Sequence, residues 1–272
     1  MSDSFLWYDL ETFGINPRYS RISQFAAQRT DLDLNPIGES ISLYCQPADD
    51  FLPDPEAAII TGITPQYAKQ HGLREAEFMS QVQEHLSEPG TCALGYNSIR
   101  FDDEFIRFGL YRNFYDAYER EYAGGNSRWD LLDVMRMIYA LRPDILQWLL
   151  REDGIPSFKL EHLAKANEAF EGSAHEALSD VRSLINLARI VKQGAPDLWQ
   201  YALSLRDKNK IATKLSVPNN QRILHVSGQF PTTQACTALM LPIMIHPTIK
   251  SRTIAVELRP EALKLIEYSI EQ

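Results

Sequence analysis

Two carboxylates stand one residue apart near the start of the chain, inside the apolar and aromatic run FLWYDLETFG. Side chains i and i+2 of a strand point to the same face, so Asp9 and Glu11 would lie side by side. Two buried carboxylates at this spacing repel each other unless they are paired or coordinate a cation. Oxygen ligands with no accompanying Cys or His indicate Mg²⁺ or Mn²⁺ rather than Zn²⁺. The alternative is an edge strand whose two acids face water.

A second acidic group, RFDDEF, follows the nearly uncharged run TCALGYN, which predicts a central buried strand over residues 91–97. Asp102 would lie just past the end of that strand, where α/β sheets commonly place their sites. The alternative is an acidic first helical turn, in which Asp102, Asp103 and Glu104 interact favourably with the helix dipole. That alternative does not explain why the acids directly follow a buried strand.

The stretch SAHEALSD supplies the last two candidates, His175 and Asp180. Ser173 and Glu176 have the spacing of a capping box, which predicts that a helix begins here. Residues five apart on an ideal helix lie about 140° apart around its axis. His175 and Asp180 would therefore serve one site only if the histidine enters from the loop side. A single histidine near a helix start is also typical of an exposed surface.

The remaining patterns predict the elements that would position these acids. Three short strands close together in sequence predict a meander, and Thr64-Pro65 predicts a helix N-terminus. SRWD, residues 127–130, resembles a capping box that opens a helix ending at Pro143. The predicted strands are 5–10, 23–30, 39–45 and 91–97, and the other predicted helices are about 74–86, 102–112, 157–167 and 175–192. This order predicts an α/β or α+β domain over residues 1–195.

After Gly194 the sequence becomes basic and then β-rich, which predicts a small second domain over residues 200–272. Residues 181–272 hold 12 Lys and Arg against 6 Asp and Glu, whereas residues 1–180 hold 15 against 30. A chain of net charge −9 can therefore still present a basic part to a polyanion. The alternative is a chance asymmetry of a solvated surface.

Cysteine usage and hydropathy bear on where the protein works. The 3 cysteines are far apart and form no CxxC pair. The sequence shows neither an apolar run long enough to span a membrane nor a secretory signal. These observations predict a protein of the reducing cytoplasm.

Taken together, the acids and the histidine resemble the DEDDh family of 3′→5′ exonucleases. Its D-x-E element matches Asp9–Glu11, its N-x(2–3)-F-D element matches Asn97–Asp102, and its H-x(4)-D element matches His175–Asp180. The chain is similar, within that family, to the bacterial exodeoxyribonuclease I subfamily, through stretches such as YDLETFG and GYNSIRFDDEF. The resemblance implies a ribonuclease-H-like (DnaQ-like) α/β fold, a mixed sheet flanked by helices, followed by a partial SH3-like β-rich domain.

The same resemblance implies a reaction and the residues that perform it. Single-stranded DNA would be hydrolysed from its 3′ end to nucleoside 5′-monophosphates, in DNA repair or recombination, with two Mg²⁺ ions or Mn²⁺ as a substitute. Asp9 would bridge the ions, Glu11 and Asp180 would complete the first site, Asp102 would hold the second, and His175 would be the general base. The implied substrate-binding residues are Glu11, Phe13, Arg107, Tyr118, Arg136 and Lys159, with Arg128 as a further candidate and Trp129 more typical of a core.

The chain also departs from that subfamily. Its members are normally much longer and carry a helical C-terminal domain, so we expect a fragment or a naturally shortened form. Lys159 stands where they typically have Arg, which removes a planar two-point grip on phosphate. The basic segment 206–214 would extend the DNA track.

The expected partners are single-stranded DNA and single-strand DNA-binding protein, the latter through the candidates Arg142 and Tyr201, and the expected state is a monomer. The alternatives at this level are an RNA 3′→5′ exonuclease, a weakly active nucleic-acid-binding remnant, and a Mg²⁺ phosphatase acting on small nucleotides.

Overall fold

Strand β1, Ser4–Thr12, carries the first acids and lies inside a mixed sheet. The computed structural model describes residues 3–172, 176–219 and 221–259. β1 pairs antiparallel with β2, Ile22–Thr30, which pairs antiparallel with β3, Pro36–Tyr44. The predicted meander is therefore confirmed. In the pairing of β1 with β2, Asp9 lies opposite Ala26, so the pairing of the two strands continues past the acids.

Two parallel strands complete this sheet. β4, Thr91–Gly95, is fully buried and pairs with β1, as the uncharged sequence predicts. β5, Ser127–Asp130, pairs with β4. Among the described residues the strand order is β3-β2-β1-β4-β5. The prediction that SRWD opens a helix is wrong, because these four residues form the edge strand and the helix begins only at Leu131.

Helices cover both faces of this sheet. The even-numbered side chains of β1, Leu6, Tyr8 and Leu10, pack with α3 and α4 in the main hydrophobic core, while α7 packs against β1 and β2. Thr64 caps α2 by accepting a hydrogen bond from the Tyr67 N–H, as predicted. The helices are α1 Pro55–Thr61, α2 Pro65–His71, α3 Glu75–Ser87, α4 Asp102–Arg112, α5 Leu131–Leu141, α6 Leu160–Ala166 and α7 Ala177–Gly194.

The chain divides into two units, of which the first holds this sheet in residues 1–132, 146–149 and 157–194. The second unit comprises residues 133–145, 150–156 and 195–272. Its described part contains α8, Pro196–Ser204, and α9, Lys208–Lys214, neither of which the sequence analysis predicts. The antiparallel strands β6 Ile223–Val226, β7 Thr237–Ile245 and β8 Thr253–Glu257 follow.

The domain boundaries 1–195 and 200–272 stay a prediction, and residues 260–272 lie outside the described residues. Within the part of the chain that is described, no helix is both long and apolar enough to cross a membrane.

Candidate active site

Three carboxylates from distant parts of the sequence meet at one point. Asp9 and Glu11 project from the same face of β1, and Asp180 projects from the first turn of α7. One oxygen from each carboxylate lies within 4.8 Å of the other two, and all three residues are partly buried. The structure therefore brings together three of the four acids expected to bind metal in one cluster.

Asp102, the fourth acid, is the first residue of α4 and is almost completely buried. Its Oδ1 accepts a hydrogen bond from the Leu10 N–H at 3.1 Å. The pairing of β4 with β1 extends only as far as Trp7, which leaves the Leu10 N–H to a side chain. Asp102 is thereby fixed beside the backbone that joins Asp9 to Glu11.

The cluster is electrostatically strained as a set of anions. Burial, followed by the nearby Asp102, Glu11 and Asp180 charges, raises the pKa of Asp9 well above its ordinary value. Burial, followed by the Asp180 charge, raises the pKa of Glu11 to about 8. Burial also raises the pKa of Asp102 well above its ordinary value, despite the hydrogen bond from Leu10.

This donor set fits a divalent cation. Among the described residues, neither Asp9 nor Glu11 forms an ion pair with Lys or Arg, so no cationic side chain offsets their repulsion. A bound cation would remove that repulsion and satisfy the oxygens. Carboxylate oxygens alone are the ligands that hard divalent metals prefer. Asp9, Glu11 and Asp180 would hold the ion.

His175, the predicted general base, lies outside the described residues, as does Ser173 of the predicted capping box. The other half of that box, Glu176, directly precedes α7 and accepts a hydrogen bond from the Ser179 hydroxyl at 2.5 Å. The role of His175 stays a prediction.

Asp130 is a site-supporting residue that the sequence analysis assigns to no function. Its buried carboxylate accepts hydrogen bonds from the N–H groups of Asn97 (2.9 Å), Ile99 (3.3 Å) and Leu132 (3.0 Å). It thus holds the turn between β4 and α4, which leads into Asp102. The sequence signal for Asp130 is the acid at the end of SRWD, but the same four residues also match a capping box.

Asp103, next to Asp102, is a second supporting residue whose role the sequence pattern does not predict. Its buried carboxylate accepts hydrogen bonds from the Tyr8 hydroxyl (2.8 Å), Arg120 (2.5 Å) and Arg128 (2.5 Å). Burial alone would raise the pKa of Asp103, but the Arg120 and Arg128 charges hold it below its ordinary value. This carboxylate is therefore a buried anion with cationic partners, unlike Asp9 and Glu11, which form no ion pair among the described residues.

Arg107 and Tyr118, two of the predicted DNA-binding residues, lie next to each other. The Arg107 guanidinium pairs with Glu104 and Glu121 and stands 5.0 Å from the centre of the Tyr118 ring. Arg128, a further candidate, pairs with Glu121 as well as Asp103. Their charges are thus already engaged with carboxylates.

Phe13 and Lys159 have contrasting surroundings. Phe13 is only 2% exposed and packs with Phe51, Ile63 and Ala68, so in this arrangement its ring offers no free face to a base. A substrate-binding role for Phe13 therefore gains no support from its packing, because the ring anchors the chain after β1. Lys159 is exposed, and the preceding Phe158 carbonyl accepts a 2.5 Å hydrogen bond from Tyr96 just beyond β4. Lys159 therefore lies at the end of the sheet where Asp102 begins its helix.

Of the remaining candidate residues, one lies in the hydrophobic core and the others belong to the second unit. Trp129 is buried against Phe5, in agreement with the prediction of a core residue. Arg136 belongs to the second unit and pairs with Asp133 at 2.6 Å. Arg142 and Tyr201 also belong there; Arg142 pairs with Asp144, and the Lys214 ammonium stands 4.8 Å from the centre of the Tyr201 ring.

Comparison with protein-family models identifies the class of this fold and site. Residues 6–188 match the exonuclease family model, and residues 206–272 match the model of the Exonuclease I SH3-like domain. The chain therefore belongs to the exonuclease family. The predicted fold class, a ribonuclease-H-like mixed sheet followed by an SH3-like domain, is confirmed.

Comparison with individual relatives supports the same family assignment. The chain is 46% identical to Exodeoxyribonuclease I of Escherichia coli (strain K12) over 264 residues, covering 97% of this chain and 56% of the relative. The zinc-ion-bound form of an E. coli ExoI–ssDNA complex matches with 46% identity and a TM-score of 0.90, covering 95% of this chain and 55% of that one.

An ExoI/SSB-Ct complex also matches, with 46% identity and a TM-score of 0.90, covering 95% of this chain and 56% of that one. The chain thus spans little more than half the length of these relatives.

Proposed function

We propose that the chain is a 3′→5′ exonuclease that hydrolyses single-stranded DNA to nucleoside 5′-monophosphates. The observation that carries this proposal is the cluster of Asp9, Glu11 and Asp180, with Asp102 bound to the same strand, in a member of the exonuclease family. A relative with 46% identity is named Exodeoxyribonuclease I, and a matching structure is an ExoI–ssDNA complex.

The proposed cofactor is a pair of Mg²⁺ ions, with Mn²⁺ as a substitute. Asp9 would bridge the two positions, Glu11 and Asp180 would complete one, and Asp102 would support the other. When bound, the two ions stabilise the attacking and leaving oxygens of the phosphodiester. The three clustered acids support a divalent metal in general, while the preference for magnesium follows from their all-oxygen chemistry.

The chain's own groups would orient the substrate and move the proton. His175 would accept the proton of the attacking water, a role for which histidine is suited because its side chain changes charge near neutral pH. Lys159 would contact the terminal phosphate, and Glu11 would contact the terminal nucleotide. Arg107 and Tyr118 would contact the strand further on, and Arg136 would add a contact from the second unit.

The proposed partners are single-stranded DNA and single-strand DNA-binding protein. The ExoI/SSB-Ct complex supports the second, with Arg142 and Tyr201 as its candidate contacts. A monomer in the cytoplasm, acting in DNA repair or recombination, remains our expectation.

The test is release of mononucleotides from a labelled single-stranded oligonucleotide. We expect activity with Mg²⁺, loss of activity with EDTA, and a fall of about 10³-fold or more in Asp9→Ala, since such metal sites supply several kcal/mol. Glu39→Ala, which removes an exposed acid from β3, is the matched control. Activity that survives chelation, or that persists in Asp9→Ala, would contradict the proposal, and faster cleavage of RNA of the same sequence would redirect it to RNA.

A further inference from the structure

A groove of about 490 Å³ opens between the turn that follows β1 and helix α4. One wall contains Ile15, Arg18 and Tyr19, and the other contains Glu104 and Phe108. The first wall begins four residues after Glu11. Glu104 shares the first turn of α4 with Asp102, so the groove comes within about one helical turn of the site acids.

The turn that forms the first wall is held in place by its own hydrogen bonds. The Asn16 side chain accepts from the Arg18 N–H at 3.0 Å, and the Asn16 carbonyl accepts from the Ser20 N–H at 2.7 Å. The Arg21 guanidinium donates to the Tyr19 and Ser20 carbonyls. The side chains of this wall are therefore presented on a preorganised backbone, which lowers the entropy cost of binding.

The exposed chemistry of the groove suits a nucleotide strand. Tyr19 is 73% exposed and Ile15 is 85% exposed, so both offer apolar surface to a ligand. Arg18 forms no ion pair within the described chain, while Glu104, the acid of the groove, is paired with Arg107. Proteins that bind single-stranded nucleic acid use an aromatic ring to stack on a base and a nearby cation to contact its phosphate. The groove volume lies within the usual range of about 300–1,000 Å³ for ligand pockets.

We propose that this groove binds the single DNA strand next to its reacting 3′ end, with Tyr19 stacking on a base and Arg18 contacting a phosphate. The proposal rests on the proposed function. It assigns the stacking contact to the exposed Tyr19, while the buried Phe13 anchors the base of the turn.

The test is equilibrium binding of 5′-labelled single-stranded oligonucleotides, measured by fluorescence anisotropy in EDTA so that no turnover occurs. We expect Tyr19→Ala to raise Kd about 5- to 30-fold through loss of one base stack, and Tyr19→Phe to restore binding to within about twofold. Arg18→Ala should lower the slope of log K against log salt by about 0.7, since one phosphate contact is lost from a single strand. Tyr19→Ala should leave that slope unchanged.

Matched controls are Phe114→Ala and Arg74→Ala, which remove an exposed aromatic ring and an exposed cation outside the groove. Melting temperatures within experimental error of the parent would show that each variant is folded. If the parent binds and cleaves DNA while both groove variants behave like the controls, the groove assignment is overturned and the proposed function stands. If the parent neither binds nor cleaves DNA, the proposed function itself fails.

Discussion

Asp9, Glu11 and Asp180 lie close enough to repel one another when all three are ionised. Burial adds to this repulsion, because a partly desolvated carboxylate favours its protonated form. The consequence is a site whose protonation state depends strongly on whether a cation is bound. The same negative charges therefore favour metal binding and lower the stability of the metal-free protein.

A pH-dependent stability follows for the metal-free protein. The pKa of Glu11 is raised from 4.5 to about 8 and that of Asp9 is also raised, so the folded state holds protons that the unfolded chain has lost. Their contribution to stability is full below about pH 4.5 and is lost as pH rises through the folded pKa values. In EDTA we expect the melting temperature to fall between pH 5 and pH 8.5.

Scanning calorimetry in EDTA and in Mg²⁺ measures this prediction. The stabilisation by Mg²⁺ should be larger at pH 8 than at pH 5, because protons compete with the metal at the lower pH. Glu11→Gln should flatten the metal-free profile, whereas Glu39→Gln should not. A parent profile that rises between pH 5 and pH 8.5 in EDTA would be incompatible with the raised pKa values.

The junction between β4 and α4 is the element that positions Asp102. Gly95 ends β4, where a Cβ would lie 2.7 Å from the Tyr8 carbonyl oxygen, so the two strands can approach this closely only with glycine. Asp130 then fixes the turn, and Asp103 fixes the first turn of α4 through Arg120 and Arg128. The position of Asp102 thus depends on two buried carboxylates, Asp130 and Asp103, that lie outside the cluster of Asp9, Glu11 and Asp180.

Arg120 provides a test at this scale. Its side chain is fully buried and pairs with the buried Asp103. Arg120→Met should destabilise the protein by about 3–5 kcal/mol, because it removes the main compensation of a buried charge. The double variant Arg120→Met/Asp103→Asn should lose less than the sum of the two single variants.

Urea unfolding of the four proteins in the cycle measures the coupling. Lys165→Met, which breaks the exposed pair with Glu161, is the control and should change stability by about 0.5 kcal/mol at most. Strict additivity of the two buried substitutions would show that Asp103 does not depend on Arg120.

At the scale of the whole molecule, charge is distributed unevenly between the acidic sequence up to residue 180 and the basic sequence after it. The clustered acids Asp9, Glu11 and Asp180 lie in the acidic part, where a polyanion is repelled unless a cation is bound. Much of the basic character is carried by α9 with its exposed lysines. DNA binding should therefore draw on the second unit for electrostatic attraction.

Removal of two lysines from α9 tests this division. Lys208→Ala/Lys210→Ala should lower the slope of log K against log salt by about 1.4 if each lysine contacts one phosphate of a single strand. Lys165→Ala/Arg74→Ala removes the same charge from the first unit and should leave the slope within about 0.3 of the parent. Equal effects from both pairs would mean that only net charge matters.

The amino-acid sequence by itself determined that Asp9 and Glu11 share one face of β1, whereas the approach of Asp180 to them was decided by tertiary structure. The alternation of β1 is local, so the shared face of Asp9 and Glu11 follows from their spacing, and the uncharged run 91–97 indicates a buried strand. Ser127–Asp130 became a strand, against its local capping pattern, because β4 offers it backbone partners. The burial of Phe13 and the pairing of Arg120 with Asp103 were likewise decided only by tertiary structure, since burial and ion pairing depend on residues that are distant in sequence.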